Sequence, residues 1–218
     1  MDIDTLFSQL TEATNPEKAL QMSAYMKNLF PFLGIPTPNR RDICKPFFAN
    51  RKNEKEIDWD FVEQCWDKPE REYQYVAFDY LIKKKRYLTI EHVPKLKSLA
   101  LNKSWWDSID VLDKLIGDIG LSDNKIDELM FNWSTDENIW LRRIAIDHQL
   151  LRKDKTNVEL LEKILVNNLN QTEFFINKAI GWSLRSYSKT NPDWVRQFIS
   201  DNRAGLSNLS IREGSKYL

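Results

Sequence analysis

Four residues of this 218-residue chain are of types that suit chemistry. They are two tryptophans, one aspartate and one arginine: Trp106, Asp110, Arg143 and Trp182. An aromatic face attracts a cation within about 6 Å and stabilises it by roughly 0.5–2 kcal/mol. A carboxylate can stabilise a developing positive charge, and an arginine makes directional contacts with phosphate. These types together indicate recognition of something flat or cationic beside a phosphate.

Helices must position these side chains, because the chain has only 6 Gly and start signals such as Asn15-Pro16 and Asn191-Pro192 recur along it. Strand-like alternation is hard to find. The connections between helices are short, so we expect an all-α fold and a single domain over residues 1–218. The expected helices cover residues 2–13, 16–29, 38–50, 58–67, 69–86, 89–101, 104–118, 122–133, 136–153, 156–169, 172–188, 191–203 and 207–216.

A period of 34 residues, clearest over residues 69–203, aligns four of these helices. Each copy is a longer helix followed by a shorter one, which is typical of a helical-hairpin solenoid. The tetratricopeptide repeat has the same length, but its Trp-Leu-Gly-Tyr spacing is absent, so we predict a HEAT-like repeat. Three apolar columns support the alignment: Ala77, Val111, Ala145 and Ala179; Phe78, Leu112, Ile146 and Ile180; Ile82, Ile116, Leu150 and Leu184.

Superposing the copies on one helical wheel, at about 100° per residue, separates a packed side from an open side. The apolar columns fall on the packed side. The open side also carries a ladder of Asp79, Asp113 and Asp147, which we expect to pair with Arg142 or Arg143 between helices. The candidate residues on the open side are Trp106, Asp110, Arg143, Lys178, Trp182 and Arg185.

The two tryptophans have competing interpretations. Trp106 shares its repeat column with Trp140 and Phe174, so it could be a packing residue of the repeat. Trp182 shares its column with Tyr80, Lys114 and His148, which is a mixed set without an aliphatic residue. A common packing role therefore explains Trp182 less well, and both interpretations of Trp106 stay open.

Several separated motifs, in order along nearly the whole chain, resemble the AlkD-type DNA alkylation repair glycosylases. These motifs are Tyr25-Met26-Lys27-Asn28, Phe32-Leu33-Gly34-Ile35, Thr37-Pro38-Asn39-Arg40-Arg41, Ser104-Trp105-Trp106-Asp107-Ser108-Ile109-Asp110, Trp140-Leu141-Arg142-Arg143-Ile144-Ala145-Ile146 and Phe174-Phe175-Ile176-Asn177-Lys178-Ala179-Ile180-Gly181-Trp182.

The resemblance implies a HEAT-like solenoid whose concave face holds duplex DNA. It implies hydrolysis of the N-glycosidic bond of cationic alkylated purines, such as 3-methyladenine and 7-methylguanine, without base flipping. The family's catalytic aspartate falls on Asp110, its active-site tryptophans on Trp106 and Trp182, and its active-site arginine on Arg143, for which we expect a phosphate contact. As further DNA-binding residues we predict Arg185, Lys178, Tyr25 and Lys27.

The charge of the chain limits the functions that the sequence can support. The 32 Lys+Arg balance the 32 Asp+Glu, which excludes binding to nucleic acid by bulk charge but not by a local basic surface. The balance is uneven along the chain: residues 101–150 hold 5 basic and 10 acidic residues, whereas residues 151–218 hold 11 basic and 7 acidic. A non-catalytic HEAT-repeat adaptor and a damaged-DNA binder without turnover therefore remain open.

Cofactors and membranes are not expected. Two cysteines, Cys44 and Cys65, and two distant histidines do not make a disulfide framework or a zinc site, so we expect both cysteines in the core. No apolar run approaches the roughly 20 residues that span a bilayer. We expect a cytoplasmic monomer that uses no metal or other cofactor and binds duplex DNA carrying alkylated purines.

Overall fold

The structure is a computed structural model that describes residues 1–218, and it contains thirteen α-helices and no β-strand. The prediction of an all-α fold is therefore confirmed. The chain forms two compact units, Met1–Leu88 and Thr89–Leu218, and the single domain over residues 1–218 stays a prediction. None of the helices combines the length and the apolar character needed to cross a membrane.

The first unit contains five α-helices and one 3₁₀ turn, Lys85–Tyr87. Several helices begin where the sequence provides a cap: the Asn15 side chain accepts a hydrogen bond from the Lys18 backbone, and the Asp58 side chain accepts one from Phe61. Cys44 and Cys65 are fully buried, as predicted. The helices are α1 (Ile3–Glu12), α2 (Pro16–Tyr25), α3 (Thr37–Asn50), α4 (Trp59–Asp67) and α5 (Arg71–Lys84).

A buried carboxylate fixes the loop between α2 and α3. Glu72 is fully buried and accepts hydrogen bonds from the backbone N–H groups of Leu33, Gly34 and Ile35 at 2.8–3.0 Å. Gly34 has φ of +83°, and a Cβ there would lie 2.1 Å from the Asn15 carbonyl oxygen. The Phe32–Ile35 motif therefore has a structural role, which only glycine permits at position 34.

The second unit contains eight α-helices and begins with a 3₁₀ turn at Ile90–His92. Further 3₁₀ turns follow α9 and α13, at Lys153–Lys155 and Ser215–Tyr217. The helices are α6 (Val93–Leu101), α7 (Trp106–Gly120), α8 (Lys125–Trp133), α9 (Ile139–Asp147), α10 (Val158–Asn167), α11 (Phe174–Ser188), α12 (Pro192–Asp201) and α13 (Asn208–Gly214).

The predicted apolar columns are packed, with one clear exception. Nine of the twelve column residues are buried, and Val111 and Leu150 are half-buried. Ile82 departs from the pattern, because its side chain is 43% exposed near the end of α5. The period therefore marks the core side of the helices correctly, except at position 82.

Two predicted helices extend furthest beyond the observed C-terminal ends. The helix predicted over residues 16–29 ends at Tyr25, because Lys27 and Asn28 have positive φ. The helix predicted over 136–153 is α9, which ends at Asp147; Leu151 and Lys153 have positive φ. Residues other than glycine rarely adopt this left-handed backbone conformation, and a single residue in it ends a helix.

Candidate functional site

Asp110 and Arg143 form a partly buried ion pair between α7 and α9. Arg143 Nη2 lies 2.7 Å and Nε 3.2 Å from Asp110 Oδ1. Arg143 Nη1 donates to the backbone carbonyl of Phe175 on α11, at 2.8 Å. The Arg143 side chain is 1% exposed and the Asp110 side chain 19% exposed. One guanidinium thus connects three helices and leaves only the carboxylate in contact with solvent.

Two further carboxylates lie behind this pair. Asp110, Asp113 and Asp147 bring one oxygen each to within 4.8 Å of one another, and we call them the aspartate cluster. Asp113 and Asp147 are each 1% exposed. Asp147 Oδ2 lies 3.7 Å from Arg143 Nη2, an ion pair without a hydrogen bond, and Asp113 Oδ1 has no hydrogen-bond partner.

Burial decides the charge of the aspartate cluster. Desolvation, followed by repulsion from Asp147 and Asp110, raises the pKa of Asp113 well above its usual range. Desolvation also raises the pKa of Asp147 to about 7, although Arg143 opposes the shift. Burial lowers the pKa of Arg143, but the carboxylates of Asp147 and Asp110 outweigh it and raise that pKa overall. Asp113 therefore keeps its proton to a higher pH than an exposed aspartate does.

The aspartate cluster is also the place where a cation could be held, since carboxylate oxygens are the ligands that hard divalent cations prefer. Arg143 already supplies a positive charge to Asp110 and Asp147. Burial and the neighbouring carboxylates favour the protonated form of Asp113. The residues therefore fit a carboxyl cluster that Arg143 neutralises better than they fit a metal centre.

Trp182, on α11, lies beside this pair and is half-buried. Its ring centroid is 5.2 Å from Arg143 Cζ, 5.7 Å from Lys178 Nζ and 5.9 Å from Arg185 Cζ. Cationic groups at these distances interact favourably with the face of an indole. The predicted residues Arg143, Lys178, Trp182 and Arg185 are therefore brought together, with Asp110 bound to Arg143.

Glu213, on α13, holds the two cations at the outer part of this group. Its two carboxylate oxygens accept hydrogen bonds from Lys178 Nζ at 2.8 Å and from Arg185 Nη1 at 3.0 Å. The hydrogen bond from Lys178 is the main cause that lowers the pKa of Glu213. Both cations keep about a quarter of their side chains exposed.

A glycine allows α13 to approach α11 this closely. A Cβ at Gly181 would lie 2.6 Å from Glu213 Cβ and 3.2 Å from the Ser210 carbonyl oxygen. The Ser210 hydroxyl donates to the Asn177 carbonyl at 2.8 Å, which ties the same two helices together. Gly181 thus permits the position of Glu213. Sequence reasoning missed Glu213, and the Gly181-Trp182 pair is the only local signal of close approach.

Trp106 begins α7 and is half-buried. It lies one helical turn before Asp110, so the two side chains share one face of α7. The aromatic residues at the repeat position of Trp106 differ in burial, since Trp140 is 9% exposed and Phe174 is 56% exposed. The aromatic packing is made instead by Trp105, Trp140 and Phe175, whose ring centroids lie 5.0–5.8 Å apart.

The remaining predicted residues lie in the first unit. Tyr25 is the last residue of α2, and its side chain is 71% exposed. Lys27 is exposed and has φ of +60° in the turn that follows. Helix α2 has no buried residue. The DNA-binding role of Tyr25 and Lys27 stays a prediction.

Two sequence-based expectations need correction. We expected Arg143 to contact phosphate, but its buried guanidinium is bound by Asp110 and the Phe175 carbonyl. We also expected the aspartate ladder to pair with Arg142 or Arg143. Asp147 does lie 3.7 Å from Arg143, but both residues are on α9, so this pair is not between helices. Asp79 pairs with Arg40 and Arg41 of α3, and Asp113 has no ion pair. A single-helix wheel cannot show which neighbouring helix covers a side chain.

Solved structures share this arrangement of helices. A predicted DNA alkylation repair enzyme from Enterococcus faecalis is 41% identical, with a TM-score of 0.86 over 94% of this chain and 96% of that chain. AlkD2 from Streptococcus mutans and smu.31 from Streptococcus mutans UA159 are 16% and 17% identical, each with a TM-score of 0.56 over 80% of this chain and 98% and 94% of theirs. The predicted HEAT-like helical-repeat fold is thereby confirmed.

A search of the curated proteins finds no match to the chain. The family model described as "DNA alkylation repair enzyme" matches residues 6–218, which is nearly the whole sequence. The resemblance carried by the separated motifs is therefore confirmed. Together with the relative from Enterococcus faecalis, this match shows that the chain belongs to the family of DNA alkylation repair enzymes.

Proposed function

We propose that this DNA repair enzyme is a glycosylase that hydrolyses the N-glycosidic bond of cationic alkylated purines, 3-methyladenine and 7-methylguanine, in duplex DNA. The observation that carries the proposal is the position of Asp110. It is the one member of the aspartate cluster that is not fully buried, and Arg143 fixes its carboxylate. A fixed carboxylate at the edge of an aromatic and cationic group is suited to a sugar that becomes positively charged.

The chemistry needs only one carboxylate. In an N3- or N7-alkylated purine the base is already positively charged, so the electrons of the broken C1′–N bond neutralise it and it leaves without a proton. Water then adds to C1′ of the oxocarbenium-like sugar and loses a proton. Ordinary glycoside hydrolysis needs a second carboxyl group to protonate the leaving oxygen. Asp110 stabilises the sugar cation and positions the water.

Trp106 and Trp182 pack against the deoxyribose and add cation–π stabilisation. Both are half-buried and can therefore present part of their rings to a ligand. We propose that no base flipping is needed, because these residues act on the sugar rather than enclosing the base. Arg143 positions Asp110 through its two hydrogen bonds to Oδ1.

DNA phosphates are bound by Lys178 and Arg185 in this proposal. Each keeps about a quarter of its side chain exposed beside Trp182, and each is also bound to Glu213. A phosphate must therefore compete with the Glu213 carboxylate or share its donors. Affinity for DNA then depends on phosphate contacts from a few residues and decreases as the salt concentration rises.

Asp110→Asn tests the proposal because it keeps the shape of the side chain and removes its charge. We expect release of 7-methylguanine from methylated duplex to slow by roughly 100-fold or more, the usual cost of losing a preorganised electrostatic contact. Asp123→Asn is the matched control, since its Oδ1 caps the Lys125 backbone and an amide can do the same. Release by Asp110→Asn at the wild-type rate would show that Asp110 does not act as proposed.

Measurements on the same methylated duplex distinguish the glycosylase from two alternative functions. Base release and binding are measured side by side on one methylated duplex. Binding without release identifies a damaged-DNA binder, and absence of both identifies a HEAT-repeat adaptor. Release by the wild-type protein, lost in Asp110→Asn, supports the glycosylase.

A further inference from the structure

A groove of about 780 Å³ lies in the first unit, between α3 and the end of α5 with its following 3₁₀ turn. Seven cationic side chains line it, against two carboxylates, Asp42 and Asp79. We call it the basic groove. Its volume is in the range of natural small-molecule sites. None of the candidate residues near Asp110 contributes to it.

Four of the seven cations in the basic groove have no carboxylate partner: Lys45, Lys52, Lys83 and Arg86. The others are engaged, since Arg51 pairs with Asp58 and Glu54, Lys84 donates to two backbone carbonyls, and Arg41 pairs with Asp79. Unpaired cations that converge on a concave surface attract a multiply charged anion.

These cations lie along two facing edges. On one edge Arg41, Lys45 and Lys52 follow α3 and the turn after it, a span of about 16 Å if the rise is helical throughout. On the other edge Lys83 and Arg86 lie almost one helical turn apart. Asp42 is the one exposed carboxylate, at the Arg41 end. The remainder of the groove is open to a chain of anionic groups.

The surface between the edges is apolar, which a site for phosphate alone does not need. Ala49 is exposed and Tyr87 is half-buried. Ile82 is 43% exposed, although it occupies a repeat column that is fully buried at Ile116 and Leu184. The Arg86 guanidinium lies 4.6 Å from the Tyr87 ring centroid, and its Nη2 donates to the Tyr87 hydroxyl at 2.6 Å. Aromatic rings and guanidinium planes are the surfaces on which bases stack.

We propose that the basic groove binds a nucleotide, with its phosphate on Lys45 and Lys52 and its base against Ile82 and the Arg86–Tyr87 pair. The nucleotide can belong to an unpaired strand or be free, since both have the same phosphate and base chemistry. Cations beside a stacking surface are the combination that single-stranded nucleic acids bind. The proposal goes beyond the glycosylase activity and does not depend on it.

Fluorescence anisotropy with a labelled six-residue oligothymidylate tests the proposal, because this strand contains no purine to excise. We expect Lys45→Ala with Lys52→Ala to weaken binding at least tenfold and to reduce the salt slope by about 1.4, for two phosphate contacts to a single strand. The matched control, Lys18→Ala with Lys55→Ala, removes two exposed lysines outside the groove and should bind like the wild type.

The apolar surface is tested by Ile82→Ser and, at an exposed position that avoids the core, by Ala49→Glu. Ile82→Ser should weaken oligothymidylate binding at an unchanged salt slope, and Ala49→Glu should weaken it further. Competition by thymidine monophosphate would show that the groove binds a free nucleotide. Competition by the unlabelled strand alone would show that it binds an unpaired strand. Both results support the proposal.

Two outcomes overturn it. One is wild-type affinity of the double lysine variant. The other is competition by inorganic tripolyphosphate as effective as that by the oligonucleotide, together with an unchanged affinity in Ile82→Ser, because the groove would then recognise charge alone. Asp110→Asn should retain oligothymidylate binding while losing base release, so failure of this proposal is distinguishable from failure of the glycosylase proposal.

Discussion

Replacing Arg143 by alanine probes how the site is held together. The guanidinium makes two hydrogen bonds to Asp110 and one to the Phe175 carbonyl, and it is 1% exposed. Removing one partner of a buried ion pair costs about 3–5 kcal/mol, because the other charge loses its compensation. We therefore expect the free energy of unfolding at pH 7 to decrease by about that amount. Urea denaturation followed by circular dichroism measures it.

The loss in Arg143→Ala should depend on pH in a defined direction. Burial raises the pKa of Asp147 to about 7 even with Arg143 present, and Arg143 opposes this shift. Without the guanidinium, Asp147 takes up a proton at a still higher pH. At pH 5 Asp147 is then neutral and needs no partner, so the destabilisation at pH 5 should be smaller than at pH 7.

A double-mutant cycle with Asp110→Asn isolates the pair. Residues that share a hydrogen-bond network have coupling energies of about 0.5–3 kcal/mol. The control is Arg142→Ala, whose Nε has no hydrogen bond and whose loss should cost less than about 1 kcal/mol. The ion pair does not hold the site together if Arg143→Ala costs no more than Arg142→Ala, or if its effects add to those of Asp110→Asn without coupling.

Three further predictions follow from neighbouring contacts. Asp113→Asn removes a buried acid whose pKa is raised by desolvation and by repulsion from Asp147 and Asp110. Such an acid makes the free energy of unfolding fall as pH rises above its unfolded pKa, so the variant should flatten the decline measured by urea titration between pH 5 and 7. Glu213→Gln frees Lys178 and Arg185, so affinity for undamaged duplex should increase and its salt dependence should become steeper; an unchanged slope would contradict the phosphate contacts proposed for these two residues. Gly181→Ala places a Cβ 2.6 Å from Glu213 Cβ, so we expect a lower melting temperature, and wild-type stability would contradict the close packing of α11 and α13.

Repeat periodicity predicted the helices and their buried sides because burial follows the 3.6-residue period directly. Ile116 and Leu184 are fully buried, as their column requires. The same column fails at Ile82, because α5 is followed there by the turn Lys85–Tyr87, and together they line the basic groove. A column shows which side of a helix can pack, but not where the neighbouring element ends.

The candidate site was predictable as a set of residues and not as a set of contacts. A wheel placed Asp110 and Arg143 on one open side, and the structure does bring them together. It could not show that the Phe175 carbonyl, on the following repeat, closes over the guanidinium. Glu213 was missed because α13 lies beyond the last clear repeat and reaches α11 through Gly181.

Aspartates at one repeat position have different partners in the two units. In the first unit Asp79 binds Arg40 and Arg41 from α3, whereas in the second unit Asp147 lies beside Arg143 of its own helix and Asp113 has no ion pair. The repeat position therefore fixes a buried carboxylate but not its partner.

Asp110 is different, because it lies three residues before Asp113 on α7 and keeps 19% of its side chain exposed. A carboxylate that stabilises a sugar cation must both reach the substrate and stay fixed in position. Asp113 and Asp147 cannot reach a substrate, since each is 1% exposed, and burial favours the protonated form of Asp113. Arg143 fixes Asp110 from the buried side through two hydrogen bonds. Asp110 is thus the one cluster member that meets both requirements, which is why its charge, and not that of the ladder, is the decisive test.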